Sequence, residues 1–250
     1  MLSVYAKGFW IALHGIPQTI GVSLIAVFGG VVIGLLFALM RLSDYKVLRG
    51  IASVYIELVR GTPLVVQAFI FAYGVPQLLQ ANGVSFKWPH LVIPAIMVCA
   101  LNSGAYMAEI VRSGIQAVDK GQMEAARSLG MSKKMAMRLI IIPQAIRIIL
   151  PAIGNEFVTL IKETSVLSFV GVVEIMRRGT LWNAATFQTF PAYIGVALVY
   201  TLLTIPLSKL VGHFEKKMSQ DEKKKTDKND DGSSMQKRRM FGNAAKGSVN

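Results

Sequence analysis

Four stretches of the chain contain no Asp, Glu, Lys or Arg: Gly8 to Met40, Gly61 to Phe86, Trp88 to Ala108 and Gly179 to Ser208. Each exceeds the roughly 20 residues that an α-helix needs to cross the hydrocarbon core of a bilayer, so each predicts a membrane span. A fifth apolar run, about Ala152 to Ile175, carries Glu156, Lys162 and Glu163 inside it and Glu174 at its end. Ordinary hydropathy scoring penalises such charges, so a span here implies that they face protein or a water-filled path. The pattern predicts an all-α integral membrane helical bundle of five transmembrane helices. Its expected organisation is a short external N-terminal segment at 1–15, a membrane domain at 16–214 and a charged tail at 215–250.

Breaker residues punctuate the same runs. Pro17 lies near the start of the first, Gly61-Thr62-Pro63 opens the second, Pro89 and Pro94 open the third, and Pro191 opens the last. Proline is tolerated in a helix's first turn, where its missing N–H has no partner to lose. Gly30 and Gly34 form a small-xxx-small pair, which predicts close helix packing. The first run is too long for the hydrophobic core of a signal peptide and has no basic cluster ahead of it, so it is expected to remain as a helix.

Composition sharpens this picture. Charged residues make up 16% of the chain, against about 25% in soluble domains, and hydrophobic residues 53%. The formal net charge of +13 would suit nucleic acid, but its distribution follows topology. With the N-terminus outside, only Lys7, Lys87, Arg177 and Arg178 lie on the outer side, whereas eleven Lys and Arg fall in the two inner loops. Positive-inside bias therefore predicts an external N-terminus and a cytoplasmic C-terminus. No nucleic-acid partner is expected; membrane lipid is. From Ser219 the chain turns to Lys, Asp, Ser, Asn and Gly, too polar to offset the entropy of ordering, which predicts a disordered cytoplasmic tail. Cys99 has no intramolecular disulfide partner. His14, His90 and His213 are far apart, without metal-ligand spacing, so neither a metal site nor an enzyme is indicated.

The longest polar segment inside the membrane region, about 111–147, reads as two short helices. Asp119 can cap the first, with Gln122 in capping-box position, and Gly130 can end it in the left-handed conformation. Ser132 can cap the second, which Pro143 is expected to interrupt. Within this segment Glu124-Ala125-Ala126, three residues, Gly130, nine residues, then Ile140 and Ile142-Pro143 resemble the EAA loop of ATP-binding-cassette importer permeases. The family pattern ends in Leu-Pro where this chain has Ile142-Pro143. The flanks resemble the polar amino-acid branch of that family (histidine, glutamine and arginine type): Glu57 through Pro63, Asn102 through Glu109, and Asn155 through Ser165.

The resemblance implies a permease subunit of an ATP-driven importer for polar or charged amino acids. It would pair with a second permease, identical or homologous, in the plasma (inner) membrane of a prokaryote. An external solute-binding protein would deliver substrate. ATP and magnesium would be held by separate ATPase subunits, since the chain has no Gly-x-x-x-x-Gly-Lys-Ser/Thr phosphate loop of its own. Glu124, Ala125, Ala126, Gly130 and Pro143 would carry the coupling to the ATPase, with the first short helix docked in a groove of that subunit. Rival classes are a passive channel or other non-ATP transporter, and an integral membrane enzyme.

Asn102, Tyr106 and Glu109 recur at i, i+4 and i+7, on one helix face. With Thr62 and Glu163, Asn102 and Glu109 are candidates for the substrate path, their carboxylates meeting an amino or guanidinium group. The alternative makes them interhelical hydrogen bonds, or a Lys162 to Glu109 pair that holds the bundle together. For Glu163 the partner stays open, a cationic substrate on one side and Lys162 or another protein cation on the other, while Lys162 could equally bind a substrate carboxylate, which would fit neutral amino acids such as glutamine.

Overall fold

The structure, a computed structural model, describes the backbone of residues 2–246 and the side chains of residues 2–218. Eleven α-helices follow in order among the described residues: α1 Leu2–Leu13, α2 Ile16–Arg41, α3 Lys46–Gly61, α4 Leu64–Phe69, α5 Val75–Ala81, α6 Val92–Gln116, α7 Lys120–Ser128, α8 Lys133–Ala136, α9 Ile142–Glu163, α10 Ile175–Thr186 and α11 Thr189–Lys246. Five stretches are long and apolar enough to span a bilayer: Leu2–Arg41, Leu64–Ala81, Val92–Gln116, Lys133–Val170 and Thr189–Met218. The all-α, five-span expectation is met.

The centre of the bundle is the pairing of α2 with α6. Small residues make it possible: a Cβ on Gly30 would stand 3.0 Å from Ser103, and one on Gly104 would stand 2.7 Å from Ile33. Close backbone approach is the main source of helix association where lipid removes the hydrophobic drive. Val22, Ala26, Val98, Cys99, Leu160 and Leu167 are buried around that pair, while Leu24, Phe28, Leu35 and Leu39 point outward. Helices apolar on every side are what a lipid surround selects.

Six features go beyond the sequence expectation or differ from it. Residues 1–15 are not an outlying segment: α1 packs lengthwise on α11, with Gly8 against Pro191 and Gly195 so close to Phe9 that a Cβ there would lie 2.5 Å from its backbone nitrogen. Between the first two spans runs α3, which buries Ala52 and Ile56. Its Tyr55 stacks on Phe37 at 3.9 Å between ring centroids and donates to the Leu101 carbonyl at 2.6 Å. Burial pushes that phenol up to about 12, so the hydroxyl stays a donor.

Pro143 does not interrupt the second loop helix. A single π turn, Met137–Ile141, precedes it and absorbs the missing N–H, so the helix runs from Lys133 into the fourth span as one 38-residue stretch ending at Val170. The fourth span in turn leaves α geometry at Glu163, continues as a 3₁₀ turn over Thr164–Val170 and ends at Gly171, whose φ is +93°. Residues 175–186, expected partly in the fourth span and partly in the fifth, form the separate helix α10. Finally, the backbone from 215 to 246, expected to be disordered, continues α11 as helix. Extending a helix already formed needs no new nucleus, and the Lys, Glu, Asp and Gln of this stretch are compatible with it. Tail residues 247–250 lie outside the described residues.

Candidate functional site

The loop between the third and fourth spans is built by caps. Asp119 accepts from the Gly121 N–H at 2.6 Å and starts α7; Ser132 accepts from the Met135 N–H at 3.2 Å and starts α8. The full capping box does not form, because the Gln122 side chain instead accepts from the Gln144 amide at 3.4 Å. At the far end of α7 the Gly130 N–H bonds the Arg127 carbonyl and the Met131 N–H bonds the Ala126 carbonyl, both at 3.1 Å. These paired bonds are the Schellman motif, and they require the left-handed φ of +84° that Gly130 adopts. A Cβ there would meet open space, so only conformation selects glycine.

The two alanines part company. Ala126 is buried, next to the apolar packing of Val118, Met123 and Ile141, whereas Ala125 and Glu124 face outward. Pro143 is exposed at the start of α9, directly on the rod that begins at Lys133. α7 therefore presents Glu124 and Ala125 outward from the loop, with Ala126 turned inward.

Within the bundle, Thr62 and Asn102 are brought together by a residue that sequence reasoning missed. Gln67 donates through Nε2 to Thr62 Oγ1 and the Val59 carbonyl, both at 2.8 Å, and accepts through Oε1 from Asn102 Nδ2 at 3.1 Å. Thr62 itself is held extended by the following Pro63 and donates to the Leu58 carbonyl at 2.8 Å. Gln67 is uncharged and sits in a charge-free run, so a scan for ionised groups passes over it. A polar amide inside a span was the available signal.

Below Asn102 the same face of α6 is engaged by cations. Tyr106 lies under the Arg60 guanidinium, 5.3 Å from the ring centroid, within cation–π range. Glu109 is paired with Arg41 from the end of α2 and with Arg112, whose Nη2 is 2.7 Å away. The expected alternative partner for Glu109, Lys162, is not the one it has. Glu163 is not brought to this cluster: it ends α9, is half-buried, and among the described residues has no hydrogen-bond or ion-pair partner. Glu156, two helical turns earlier on the same face, accepts from Ser103 at 3.2 Å.

Glu174 is a second residue that the sequence left without a role. It is fully buried and caps α10, accepting from the Met176 and Arg177 N–H groups at 2.8 and 2.7 Å and from the Tyr200 hydroxyl at 2.7 Å. Burial pushes its carboxyl above the usual carboxylate range, although these three donors oppose the shift.

A bundle of five spans with a capped polar loop seated on one of them is the architecture of a transport subunit, and the comparison with known proteins agrees. Residues 30–220 match the binding-protein-dependent transport system inner membrane component family. The chain belongs to that family. It is 37% identical over 218 residues to the probable glutamine ABC transporter permease protein GlnM of Bacillus subtilis (strain 168), covering 87% of this chain and 97% of that one. It is 35% identical over 210 residues to the arginine transport system permease protein ArtQ of the same organism, covering 84% and 93%. Among solved structures, a crystal structure of an amino acid ABC transporter with histidines superposes with a TM-score of 0.78 at 42% identity, covering 85% of this chain and 96% of that one. The inward-facing MetNI methionine ABC transporter shares the fold, with a TM-score of 0.68 at 18% identity.

Proposed function

We propose that this inner membrane component forms half of the translocation path of an ATP-driven importer for polar or charged amino acids. A second permease, identical or homologous, supplies the other half. Two ATPase subunits, which hold ATP and magnesium, dock on the loop side, and an external solute-binding protein delivers substrate to the opposite side. The N-terminus is external, the C-terminus cytoplasmic, and the membrane that of a prokaryote, as the excess of Lys and Arg in the two inner loops favours.

The observation that carries this reading is the continuous helical stretch Lys133–Val170, which passes through a π turn before Pro143 and changes to a 3₁₀ turn after Glu163. Its loop end supports α7, with Ala125 and Glu124 outward and Gly130 setting the turn. Glu163 lies toward its other end, where the α-helix gives way to a 3₁₀ turn. Motion imposed on the outer face of α7 by ATP binding next door would be carried along the rod to a half-buried carboxylate at a helix break. Irregular helix within a membrane is tolerated where it lines a cavity, and broken spans are recurrent sites of solute binding. Relatives named for glutamine and arginine support an amino-acid substrate.

On this reading Thr62, Asn102 and Glu163 line the path, and Glu109 serves the bundle rather than the solute because two guanidinium groups already engage it. A carboxylate at membrane depth without a protein cation is costly, and a cationic group on the substrate offsets that cost. The test uses the reconstituted complex with its ATPase. Glu163→Gln is expected to abolish stimulation of ATP hydrolysis by arginine, lysine and histidine while assembly and basal hydrolysis persist. An unchanged profile over cationic, neutral and acidic amino acids would remove Glu163 from the path.

A further inference from the structure

We infer that Gln67 is a positioning residue which fixes Asn102 as a hydrogen-bond acceptor toward the path, so that the site reads an N–H donor on the substrate. The inference rests on the proposal that Asn102 lines that path.

The Val59 and Thr62 backbone oxygens lie 2.8 and 3.1 Å from the nitrogen end of the Gln67 amide, and a carbonyl oxygen only accepts. The amide NH2 must therefore face them, whichever way round it is drawn, and Gln67 Oε1 must face Asn102. An oxygen there accepts only, so the Asn102 amide turns its own NH2 toward Gln67, as the 3.1 Å contact has it. The orientation of the second amide follows from the backbone of the first helix pair. Asn102 Oδ1 is left pointing away from Gln67. Among the described residues no donor reaches it, and although Asn102 is only 4% exposed this oxygen is not sealed off.

The consequence for recognition is one of sign. An amide free to flip presents either a donor or an acceptor and discriminates poorly. An amide locked by Gln67 presents an acceptor alone, suited to a substrate ammonium, amide or guanidinium N–H and indifferent to a carboxylate. Buried polar groups built for one hydrogen-bond polarity discriminate strongly, because the wrong partner leaves the group unpaired. Gln67 also ties this choice to Thr62 and Pro63, where the second span begins.

The experiment is a double-mutant cycle on the full complex in proteoliposomes, with L-glutamine as substrate, reading the half-saturating concentration, the maximal stimulated rate and basal ATP hydrolysis. Gln67→Met is expected to raise the half-saturating concentration about tenfold, the worth of one oriented hydrogen bond, with little change in the maximal stimulated rate. Asn102→Asp alone is expected to raise the half-saturating concentration as well, since its carboxylate faces the Gln67 oxygen. The double variant is expected to return to within about threefold of the unsubstituted protein: an aspartate offers acceptors on both sides and needs no aiming, and methionine removes the opposing oxygen. Additive losses, or no effect of Gln67→Met, would overturn the inference.

If Gln67→Met does not assemble, Gln67→Lys takes its place in the cycle. It keeps donors toward Val59 and Thr62 and puts an ammonium in place of the acceptor toward Asn102, which turns the Asn102 oxygen inward, so the positioning role predicts the same rise in half-saturating concentration and a role confined to the Val59 and Thr62 bonds predicts none. Asn102→Ala separates the two levels of the argument. An unchanged half-saturating concentration would show that Asn102 is off the path and would sink the underlying reading. A rise with Asn102→Ala but none with Gln67→Met would sink the positioning role alone.

Discussion

Glu109 and Glu163 are both carboxylates inside membrane spans, and they live in opposite circumstances. Glu109 stands at the loop end of the third span between Arg41 and Arg112. Glu163 stands at the break of the fourth and forms no ion pair among the described residues, Lys162 being the neighbouring cation. Sequence alone made both of them candidates for the substrate path, Glu109 just past the charge-free run Trp88 to Ala108 and Glu163 inside the run Ala152 to Ile175. The difference lies in which other helix ends arrive beside them. A paired carboxylate holds helices together; an unpaired one at depth is available to a solute.

The largest effect expected from this contrast is on stability. Glu109→Ala leaves Arg41 and Arg112 facing each other without their shared anion. Breaking a fully buried pair costs about 3–5 kcal/mol; with 18% of the Glu109 side chain exposed, a loss near the lower end, about 3 kcal/mol, is expected. Thermal unfolding of the detergent-solubilised complex measures it. Glu163→Ala, by the same measurement, should change stability by less than about 0.5 kcal/mol. Equal losses would erase the distinction between the two residues.

A third carboxylate sharpens it. Glu174 is buried like a core residue but serves three donors, so Glu174→Ala should cost about 2 kcal/mol by orphaning them. Its pH signature has a defined sign. Burial raises the folded pKa, so the folded protein holds the Glu174 proton more tightly than the unfolded chain does. The resulting contribution is full below the unfolded value, about 4.3, and is lost as pH rises through the folded pKa. Glu174→Gln should remove that decline from a plot of unfolding temperature against pH. A plot unchanged in shape would mean that Glu174 does not titrate in this range.

A modest expected effect on stability, at Gly130, has a large functional counterpart. At Gly130 a valine has room but the wrong backbone preference, so Gly130→Val should cost about 1–2 kcal/mol, confined to the turn. Insertion of the spans should be unaffected, while uptake coupled to ATP hydrolysis should fall to background. Gly130→Asn, which tolerates the left-handed conformation, should retain most uptake. Normal uptake in Gly130→Val would mean that this loop does not carry the coupling.

What could be read along the chain was whatever depends on near neighbours. Charge-free runs longer than a bilayer is thick specify spans, since no other element satisfies every backbone group in lipid. The Asp119 and Ser132 caps and the left-handed Gly130 are likewise local, and all three were legible. Gly30 and Gly34 were legible as a packing face, though not the partner they pack on. Pro143 misled because its effect depends on the turn before it: a π turn at Met137–Ile141 lets the helix continue where proline alone predicts a stop.

The rest was decided by contacts between residues far apart in sequence. Arg41 and Glu109 are 68 residues apart, and Gln67 and Asn102 are 35 apart. Tyr200 finds Glu174 across 26 residues, from a different helix. A sequence shows that a carboxylate or an amide must find a partner in the membrane, because leaving it unpaired there is costly. Which partner it finds depends on how helices cross and where their ends meet. For Arg41 and Glu109 that is set by the close approach of Gly30 and Gly34 on α2 to Ser103, Gly104 and Met107 on α6, a tertiary contact that no local pattern encodes.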